Sequence, residues 1–510
     1  MRPERICLSL FALLSVYLAG CASNTVTVHV ERVIAETSQH PVGINVNYLM
    51  DDDVIRAPTR SLTEALRDMG VRYLRFPGGE DSDAYLWSVP PYSTPLPTLA
   101  RTGPAEWPAR DLRFTLADQR TLLNTLDFDE FMTMTESLGA EPVLVICYDS
   151  MYKPAQEGGN APTRQQLLDN AVAWVRYANV TKGYHVRYWE LGNESYLDSY
   201  NGRTTAEQYA KDLIAFSTAM KAVDPTIKIG ANGRDYHWWK TVLSAAADKI
   251  DFLAVHIYPL WAWGNYEYYR SQSHNFLSPV HTALEAIETA APPSERTRLR
   301  VAVTEFNAID YAETGAWPNV NDLGHALVVF DLMGQILSQP QVEFSQLWAT
   351  RWVSNAETSA PEVYDALDQF NQLNAVGRAV AIWGQVLGDQ LVEARAAEPI
   401  RAYATYTPAT RRLAVLLLNK DTAVRSTVLM MNSYHAGPVA QSWALTGSGP
   451  TDTRPTWAKQ PDVRVDGPHL ATSLLPLSVT VVLFEGTEDI MAPLGEAYPK
   501  GYSSSRQHHE

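Results

Sequence analysis

Two glutamates, Glu194 and Glu305, each end a stretch rich in the β-branched and aromatic residues typical of strands. Glu194 follows Asn193 in Trp-Glu-Leu-Gly-Asn-Glu, and Glu305 is the carboxyl of Val-Thr-Glu-Phe-Asn. Retaining glycoside hydrolysis needs two such groups: one gives and then takes a proton, and the other attacks the anomeric carbon. The amide of Asn193 would hold a sugar hydroxyl during the proton transfer. A single glutamate at a strand end is more often a salt-bridge or helix-capping residue, so the hypothesis depends on the pair.

Short apolar segments alternate with helical segments between about residues 43 and 385, the pattern of parallel βα units. The predicted strands are 43–47, 73–79, 142–149, 186–194, 227–233, 252–258, 299–307 and 343–350, and predicted helices include 127–138, 165–179, 205–223, 323–337 and 373–387. Eight repeats predict an α/β fold, a (β/α)8 TIM barrel with its active site at the C-terminal ends of the strands. Glu194 and Glu305 would close the fourth and seventh strands.

After about residue 388 the pattern changes to alternating strand signals at 402–406, 413–419, 426–431 and 478–484. These signals predict a C-terminal antiparallel β-sandwich. We therefore predict five regions, which are a lipoprotein signal peptide at 1–20, a linker with a possible sandwich strand at 21–39, the catalytic barrel at 40–387, the sandwich at 388–490 and a disordered tail at 491–510.

The N-terminus has the features of an export signal: Arg2 and Arg5, an apolar run at 6–18, and two small residues before Cys21. Leu-Ala-Gly-Cys resembles a bacterial lipobox, which implies cleavage before Cys21 and lipidation of its sulfur. Ala22 at the next position favours the outer membrane of a Gram-negative host. We expect a lipid-anchored protein of the outer membrane or cell surface, with the periplasm as an alternative and membrane contact only through the lipid. Ordinary secretion with an incidental cysteine is the competing interpretation.

The net charge of the chain limits the kinds of molecule that it can be expected to bind. With 41 Lys and Arg against 57 Asp and Glu, the net charge is -16, which argues against nucleic acid because neutralising phosphates needs basic patches. A carbohydrate partner fits better, and no cofactor is expected. No metal is predicted either, since no His or Cys near His256 has zinc-ligand spacing. Cys147, inside an apolar strand, is predicted to fill the core. Nothing in the sequence decides the oligomeric state.

The two strand ends resemble those of the clan A glycoside hydrolases, and Arg75-Phe-Pro-Gly-Gly resembles the Arg-Tyr-Pro-Gly-Gly of family 51, the α-L-arabinofuranosidases. This resemblance covers about residues 40–390. It implies that Glu194 is the acid/base, Glu305 the nucleophile and Asn193 the ligand of the sugar 2-hydroxyl. It also implies that Arg75 lies close to Glu305 and keeps it ionised. Alternatively, Arg75 pairs with a structural carboxylate.

Other mouth residues follow from the same resemblance. Tyr258, which ends the sixth predicted strand, would donate a hydrogen bond to the nucleophile. His256 would either contact the sugar or be a hydrogen-bonded histidine of the barrel mouth. Trp348 would lie under the sugar, with plain barrel core as the alternative. Trp261 and Trp263, in an aromatic loop after the sixth strand, would form sugar subsites or anchor the loop.

Two positions depart from the family 51 pattern. Asn47 stands where the family presents a glutamate after the first strand, and Glu80 replaces an asparagine after the Gly-Gly pair. An amide donates and accepts hydrogen bonds, whereas a carboxylate only accepts, so different sugar hydroxyls would be satisfied. Glu80 and Asp81 also disfavour an anionic sugar unless a cation such as Arg234 intervenes.

Three functions remain open from the sequence. The first is a retaining, α-L-arabinofuranosidase-like glycoside hydrolase. The second is another clan A hydrolase, of the β-xylosidase, β-glucuronidase or agarase/porphyranase type. The third is a surface lipoprotein that binds glycans without cleaving them, which the intact set of catalytic residues argues against. The sugar, the linkage and the choice of endo or exo attack stay undetermined at this stage.

Overall fold

A computed structural model describes residues 24–55, 58–101, 122–152, 161–197, 204–259, 265–271, 274–308, 321–353 and 362–487. The signal peptide, Cys21, the loop tryptophans Trp261 and Trp263 and the tail 491–510 lie outside the described residues. Their predicted roles therefore stay predictions. Within the described ranges, no helix has the length and apolar character needed to cross a membrane.

The described residues form 21 strands and ten α-helices. The strands are β1 Asn24–Glu36, β2 Val42–Asn45, β3 Tyr73–Phe76, β4 Tyr85–Leu86, β5 Thr98–Leu99, β6 Glu141–Ile146, β7 Tyr188–Leu191, β8 Lys228–Asn232, β9 Phe252–Ile257, β10 Arg300–Phe306, β11 Val342–Leu347, β12 Arg351–Val353, β13 Glu362–Tyr364, β14 Gln390–Arg395, β15 Ile400–Thr407, β16 Arg412–Asn419, β17 Arg425–Asn432, β18 Val439–Thr446, β19 Thr456–Arg464, β20 His469–Leu474 and β21 Ser478–Glu485. The helices are α1 Leu62–Met69, α2 Phe128–Leu138, α3 Arg164–Val175, α4 Ala206–Val223, α5 Tyr236–Ala246, α6 Tyr266–Ser271, α7 Ser278–Ala290, α8 Pro293–Arg296, α9 Leu323–Leu337 and α10 Ala375–Val386.

Eight parallel strands close into a barrel in the order β2, β3, β6, β7, β8, β9, β10 and β11, and β11 pairs back to β2. Each overlaps one of the predicted strands, although the prediction extended most strand ends into the loops. A ring of Tyr73, Tyr188, Phe252 and Phe344 fills the lower barrel, with Tyr73 stacked on Phe344 at a centroid distance of 4.8 Å. The TIM barrel prediction is confirmed.

Several helices begin where the sequence supplies a side-chain cap. Ser61, Asp127 and Thr163 each accept a hydrogen bond from the third backbone N–H of α1, α2 and α3 and complete a capping box. α1 ends at Gly70, whose φ of 68° places it in the left-handed region that glycine adopts freely. These local signals explain why the helix bounds were readable from the sequence.

The remaining large sheet has nine strands in the order β19-β18-β21-β16-β15-β14-β1-β17-β20. Strands far apart in that order share one apolar core, which includes Val28, Leu413, Ala440, Leu470 and Val482. Because strands near both ends of the order contribute to this core, the sheet folds over itself as a sandwich. β1 joins it as predicted, but it pairs in parallel with β17, so the sheet is mostly rather than wholly antiparallel.

Four strands of this sheet, β14, β18, β19 and β20, were absent from the prediction. β19 explains why, since most of its side chains are exposed or half-buried and its sequence lacks a regular apolar alternation. A strand held mainly by backbone pairing leaves little trace in hydrophobic periodicity. β19 is held in the sheet by its antiparallel backbone pairing with β18.

The sandwich packs on the barrel through its second face. Leu416, Leu418, Val479 and Val481 belong to the same apolar core as the barrel helices. The loop between β18 and β19 also reaches α9, where the N–H of Leu323 donates to the carbonyl of Asp452 at 2.8 Å. The sandwich therefore contributes to the side of the barrel where α9 begins.

Candidate active site

The candidate site lies at the C-terminal ends of the barrel strands, where the fold prediction placed it. Arg75 is on β3, His256 on β9 and Glu305 on β10, while Glu194 follows β7. Glu194 has a φ of 49°, a left-handed conformation that a non-glycine residue adopts at a cost. Such strain is typical of functional sites, because the surrounding structure must hold the residue there.

Arg75 is fully buried and connects several strands. Its Nε donates to Oε2 of Glu190 at 2.9 Å, and its Nη1 donates to Oε1 of Glu305 at 2.7 Å. Nη1 also donates to Oδ1 of Asn45 at 3.0 Å, and Nη2 donates to Oδ1 of Asn193 at 2.9 Å. Arg75 therefore contacts both the candidate nucleophile and the buried carboxylate Glu190, and its predicted effect on the ionisation of Glu305 stays a prediction.

Both carboxyl oxygens of Glu305 accept hydrogen bonds from fixed donors. Oε1 accepts from Arg75, and Oε2 accepts from the Tyr258 hydroxyl at 2.6 Å, the contact expected for Tyr258. Burial raises the pKa of Glu305, while the positive charge of Arg75 and the Tyr258 hydrogen bond oppose the rise. A proton on Glu305 would displace one of these donors, so the arrangement favours its ionised form.

Glu194 has a different environment. Its side chain keeps 25% of its surface exposed, against 6% for Glu305. The Tyr196 hydroxyl donates to Oε1 at 3.1 Å, and no arginine or lysine of the described residues forms a salt bridge with Glu194. Burial raises the pKa of Glu194, with Tyr196, Arg75 and Arg234 opposing the rise. Of the two carboxyls, Glu194 is thus the more accessible, and Glu305 is the one paired with a guanidinium.

His256 is a hydrogen-bonded histidine of the barrel mouth, the second of its two interpretations. Its Nδ1 lies 2.8 Å from Oε1 of Glu194, and its Nε2 lies 3.2 Å from Oγ1 of Thr304. The Thr304 hydroxyl donates to Glu190 at 3.4 Å, so its oxygen can accept a hydrogen bond from Nε2. Burial lowers the pKa of His256, which favours the neutral ring. In the neutral tautomer with its proton on Nε2, Nδ1 is free to accept a hydrogen bond from protonated Glu194.

The spacing of the carboxyls fits one stereochemical course. One ligand atom from each of Glu194, His256 and Glu305 lies within 4.8 Å of the others. Retaining glycosidases hold their two carboxyl groups about 5 Å apart, whereas inverting enzymes leave room for a water molecule at roughly 6.5–9.5 Å. The separation therefore fits the retaining arrangement better than the inverting one.

The same three side chains could in principle hold a metal ion, which spacing along the sequence did not indicate. The Arg75 guanidinium, 2.7 Å from Glu305, places a positive charge beside that position and disfavours a second cation. The prediction of no metal at His256 stays a prediction.

Gly79 and Trp348 complete the wall beside Glu305. A Cβ on Gly79 would lie 2.5 Å from Oε1 of Glu305 and 2.5 Å from the Trp348 ring, so only glycine fits between them. Trp348 is therefore at the site and not only in the barrel core. Its carbonyl also accepts a hydrogen bond of 2.5 Å from Nδ2 of Asn307.

The two divergent positions lie near this wall. Asn47 is buried, its Oδ1 accepts from the N–H of Leu49 at 2.9 Å, and its Nδ2 has no hydrogen-bond partner among the described residues. Glu80 is exposed and begins a short 3-10 helix directly after Gly79. Both residues therefore lie close to the barrel mouth, Asn47 inside the protein and Glu80 at its surface.

Sequence reasoning missed four residues that form hydrogen bonds with Arg75, His256 or Glu194. They are Glu190, Asn45, Thr304 and Tyr196. The available signal was Glu190, a charged residue inside a buried strand, where a partner is required. Trp87, the residue after β4, is fully buried, and the centre of its indole lies 4.8 Å from the centre of the Tyr177 ring, so it packs in the core.

Comparison with known proteins agrees with this geometry. Residues 65–274 match the alpha-L-arabinofuranosidase 1 domain. Alpha-L-arabinofuranosidase C of Emericella nidulans is 26% identical over 296 residues, which cover 52% of each chain. An intracellular exo-alpha-(1->5)-L-arabinofuranosidase of Streptomyces lividans is 24% identical over 272 residues, 51% of this chain and 37% of that protein. Over about half of its length, the chain is thus similar to alpha-L-arabinofuranosidases.

Solved structures of arabinofuranosidases share the fold. The arabinofuranosidase of Thermotoga petrophila matches with a TM-score of 0.69 at 19% identity, and that of Thermotoga maritima with 0.68 at 20%. Both alignments cover 91% of this chain and 100% of the other. By sequence, however, this chain spans only about half the length of the curated relatives it matches or less. The structural likeness therefore supports a barrel with a β-sandwich.

Proposed function

We propose that the protein is a retaining glycoside hydrolase that acts on α-L-arabinofuranosides. The observation that carries the proposal is the pair Glu194 and Glu305, whose oxygens approach within 4.8 Å across the barrel mouth. The two carboxyls also differ in the way the reaction needs. Glu305 accepts hydrogen bonds from Arg75 and Tyr258, whereas Glu194 is more exposed and forms no salt bridge with an arginine or lysine of the described residues.

In the first step, a carboxylate oxygen of Glu305 attacks the anomeric carbon while Glu194 gives its proton to the departing glycosidic oxygen. The bond to the leaving group breaks and a glycosyl ester of Glu305 forms. In the second step, Glu194 takes a proton from water, the water oxygen attacks the anomeric carbon, and the ester bond breaks. Glu305 is then again a carboxylate that accepts hydrogen bonds from Arg75 and Tyr258.

A second candidate is another clan A hydrolase, of the β-xylosidase, β-glucuronidase or agarase/porphyranase type. Glu80 and Asn47 favour it, because they replace residues that family 51 uses to contact arabinose. The same catalytic pair would serve either substrate, since the chemistry at the anomeric carbon is shared.

The test is a panel of aryl glycosides given to the purified protein, with α-L-arabinofuranoside beside β-xyloside, β-glucuronide and β-galactoside. Preferential release from the arabinofuranoside supports the proposal, and preference for a pyranoside supports the second candidate. Proton NMR of the first sugar released should show the anomer of the substrate. Release of the opposite anomer would contradict retention.

We also propose that the protein is exported and lipid-anchored through Cys21. The support is the lipobox-like Leu-Ala-Gly-Cys after an apolar run. Wild-type protein should fractionate with membranes and incorporate labelled palmitate, and Cys21→Ser should lose both properties. Equal labelling of the two proteins would contradict the anchor.

A further inference from the structure

A second cavity lies between the barrel and the sandwich. Its volume is about 700 Å³, within the range of sites for small ligands. One wall is the beginning of α10 with Asn374 and Arg378, and the other is the start of β19 with Arg454 and Trp457. Asn321 lies between these walls, just before α9.

This cavity is on the same face of the barrel as the catalytic pair. The helices of a βα barrel begin where the preceding strands end, so the starts of α9 and α10 border the mouth. Asn321 donates to the carbonyl of Asp365 at 2.5 Å, and Asn307 donates to the Asp365 carboxylate at 2.7 Å. Asn307 is two residues beyond Glu305, so the hydrogen bonds of Asp365 connect the wall of the catalytic site to the wall of the cavity.

Two arginines in the cavity lack a carboxylate partner. Neither Arg378, which is half-buried, nor Arg454, which is exposed, forms a side-chain hydrogen bond or salt bridge with the described residues. By contrast, the buried Arg75 and Arg351 each contact a carboxylate. Burial and the nearby Arg60 guanidinium lower the pKa of Arg378, and no acidic group opposes this.

The lining also contains one carboxylate, Asp368, whose Oδ1 already accepts the N–H groups of Phe370 and Gln372 at 2.8 Å each. It offsets one of the two arginine charges and leaves the lining with an excess of positive charge. The chain as a whole has a net charge of -16, so the charge of this lining is opposite in sign to that of the whole molecule. Such a lining suits an anionic ligand.

The walls are held in place before any ligand binds. The N–H of Gly324 donates to the carbonyl of Pro450 at 2.7 Å, which ties the loop after β18 to α9. On the barrel side, the N–H of Val376 donates to Oδ1 of Asn321 at 3.1 Å. A preformed site loses less conformational entropy on binding than one that must close.

We propose that this cavity is a distal subsite for a hexuronate residue of an acidic polysaccharide whose side chains are cleaved at Glu305. Arg378 and Arg454 would bind the carboxylate, because a guanidinium matches its two oxygens. Trp457 would pack on the C–H face of the sugar, and the amides of Asn321 and Asn374 would contact its hydroxyls. The inference rests on the proposed function and names the class of substrate.

The binding test is calorimetry on the full-length protein with three probes: trigalacturonate, its methyl ester, and a xylooligosaccharide that carries one glucuronate. Wild-type protein should bind at least one acidic probe, and the double variant Arg378→Gln, Arg454→Gln should weaken that binding about tenfold or more. Which acidic probe binds identifies the uronate. The methyl ester should bind weakly to both proteins, because it lacks the charge.

The control variant is Arg412→Gln, which removes an exposed arginine at the start of β16 that has no ion pair among the described residues. It should bind the acidic probe like the wild type. All variants should keep wild-type kcat/KM on the aryl arabinofuranoside, since the small substrate does not reach the cavity. Equal binding by the double variant and wild type, or no binding of either acidic probe, would overturn the proposal. Failure on the aryl substrate alone would instead reject the proposed function.

Discussion

Nη1 of Arg75 donates to Oε1 of Glu305 over 2.7 Å, while Nε of the same guanidinium donates to Glu190 over 2.9 Å. One buried cation thus contacts both the proposed nucleophile, Glu305, and the buried carboxylate Glu190. Because guanidinium does not deprotonate in proteins, Arg75 is a permanent charge at the centre of the site. Its loss should therefore affect the folded state as well as the reaction.

Replacing Arg75 should destabilise the protein, because two buried carboxylates lose their cation. Arg75→Ala is expected to lower the free energy of unfolding by about 3–5 kcal/mol. Arg187→Ala breaks an exposed ion pair with Glu141, and should cost less than about 1 kcal/mol. Denaturant unfolding of both variants measures the difference. An equal loss of unfolding free energy in the two variants would show that the buried carboxylates Glu190 and Glu305 do not depend on Arg75 for charge compensation.

Glu305→Ala should remove turnover, with a fall in kcat of about 10⁴-fold or more. Azide should restore reaction with an activated aryl glycoside by attacking in place of the missing carboxylate. The product is expected to be a glycosyl azide of inverted configuration, read by NMR. A variant that hydrolyses at the wild-type rate would exclude Glu305 as the nucleophile.

Glu194→Ala should separate substrates by their leaving groups. Loss of the general acid is expected to cost roughly 10²–10⁴-fold on substrates with poor leaving groups. Dinitrophenyl glycosides, which leave without protonation, should form the glycosyl ester at a rate close to that of the wild type. Pre-steady-state release of the phenol measures this step. The same loss for all leaving groups would contradict the acid role.

Arg234 should tune the pH dependence through Glu194. Its guanidinium lies 5.6 Å from the centre of the Tyr196 ring and lowers the pKa of Glu194. Removing this cation in Arg234→Gln raises that pKa, so the acid stays protonated to higher pH. The alkaline limb of kcat/KM should therefore move upward, whereas Lys240→Gln, an exposed change on α5, should leave it in place. A downward movement would contradict the assignment.

Much of the fold could be predicted because it is encoded locally. The eight barrel strands are short apolar runs separated by helices, several of which have caps, and Asp127 or Thr163 marks a helix start without reference to distant residues. β19 escaped prediction because pairing with β18, not its own periodicity, holds it in the sheet. Elements with local sequence signals could therefore be predicted, whereas a strand that depends on pairing with a distant segment could not.

The sequence by itself determined the barrel and the two glutamates at its mouth, because strand ends in a parallel barrel converge on one face. Only the tertiary structure decided their environments. The 4.8 Å approach of their oxygens, the double role of Arg75, the contact of His256 with Glu194 and the cavity beside α10 all join residues far apart in the chain. Such distances depend on how barrel, loops and sandwich pack together, and sequence spacing does not contain them.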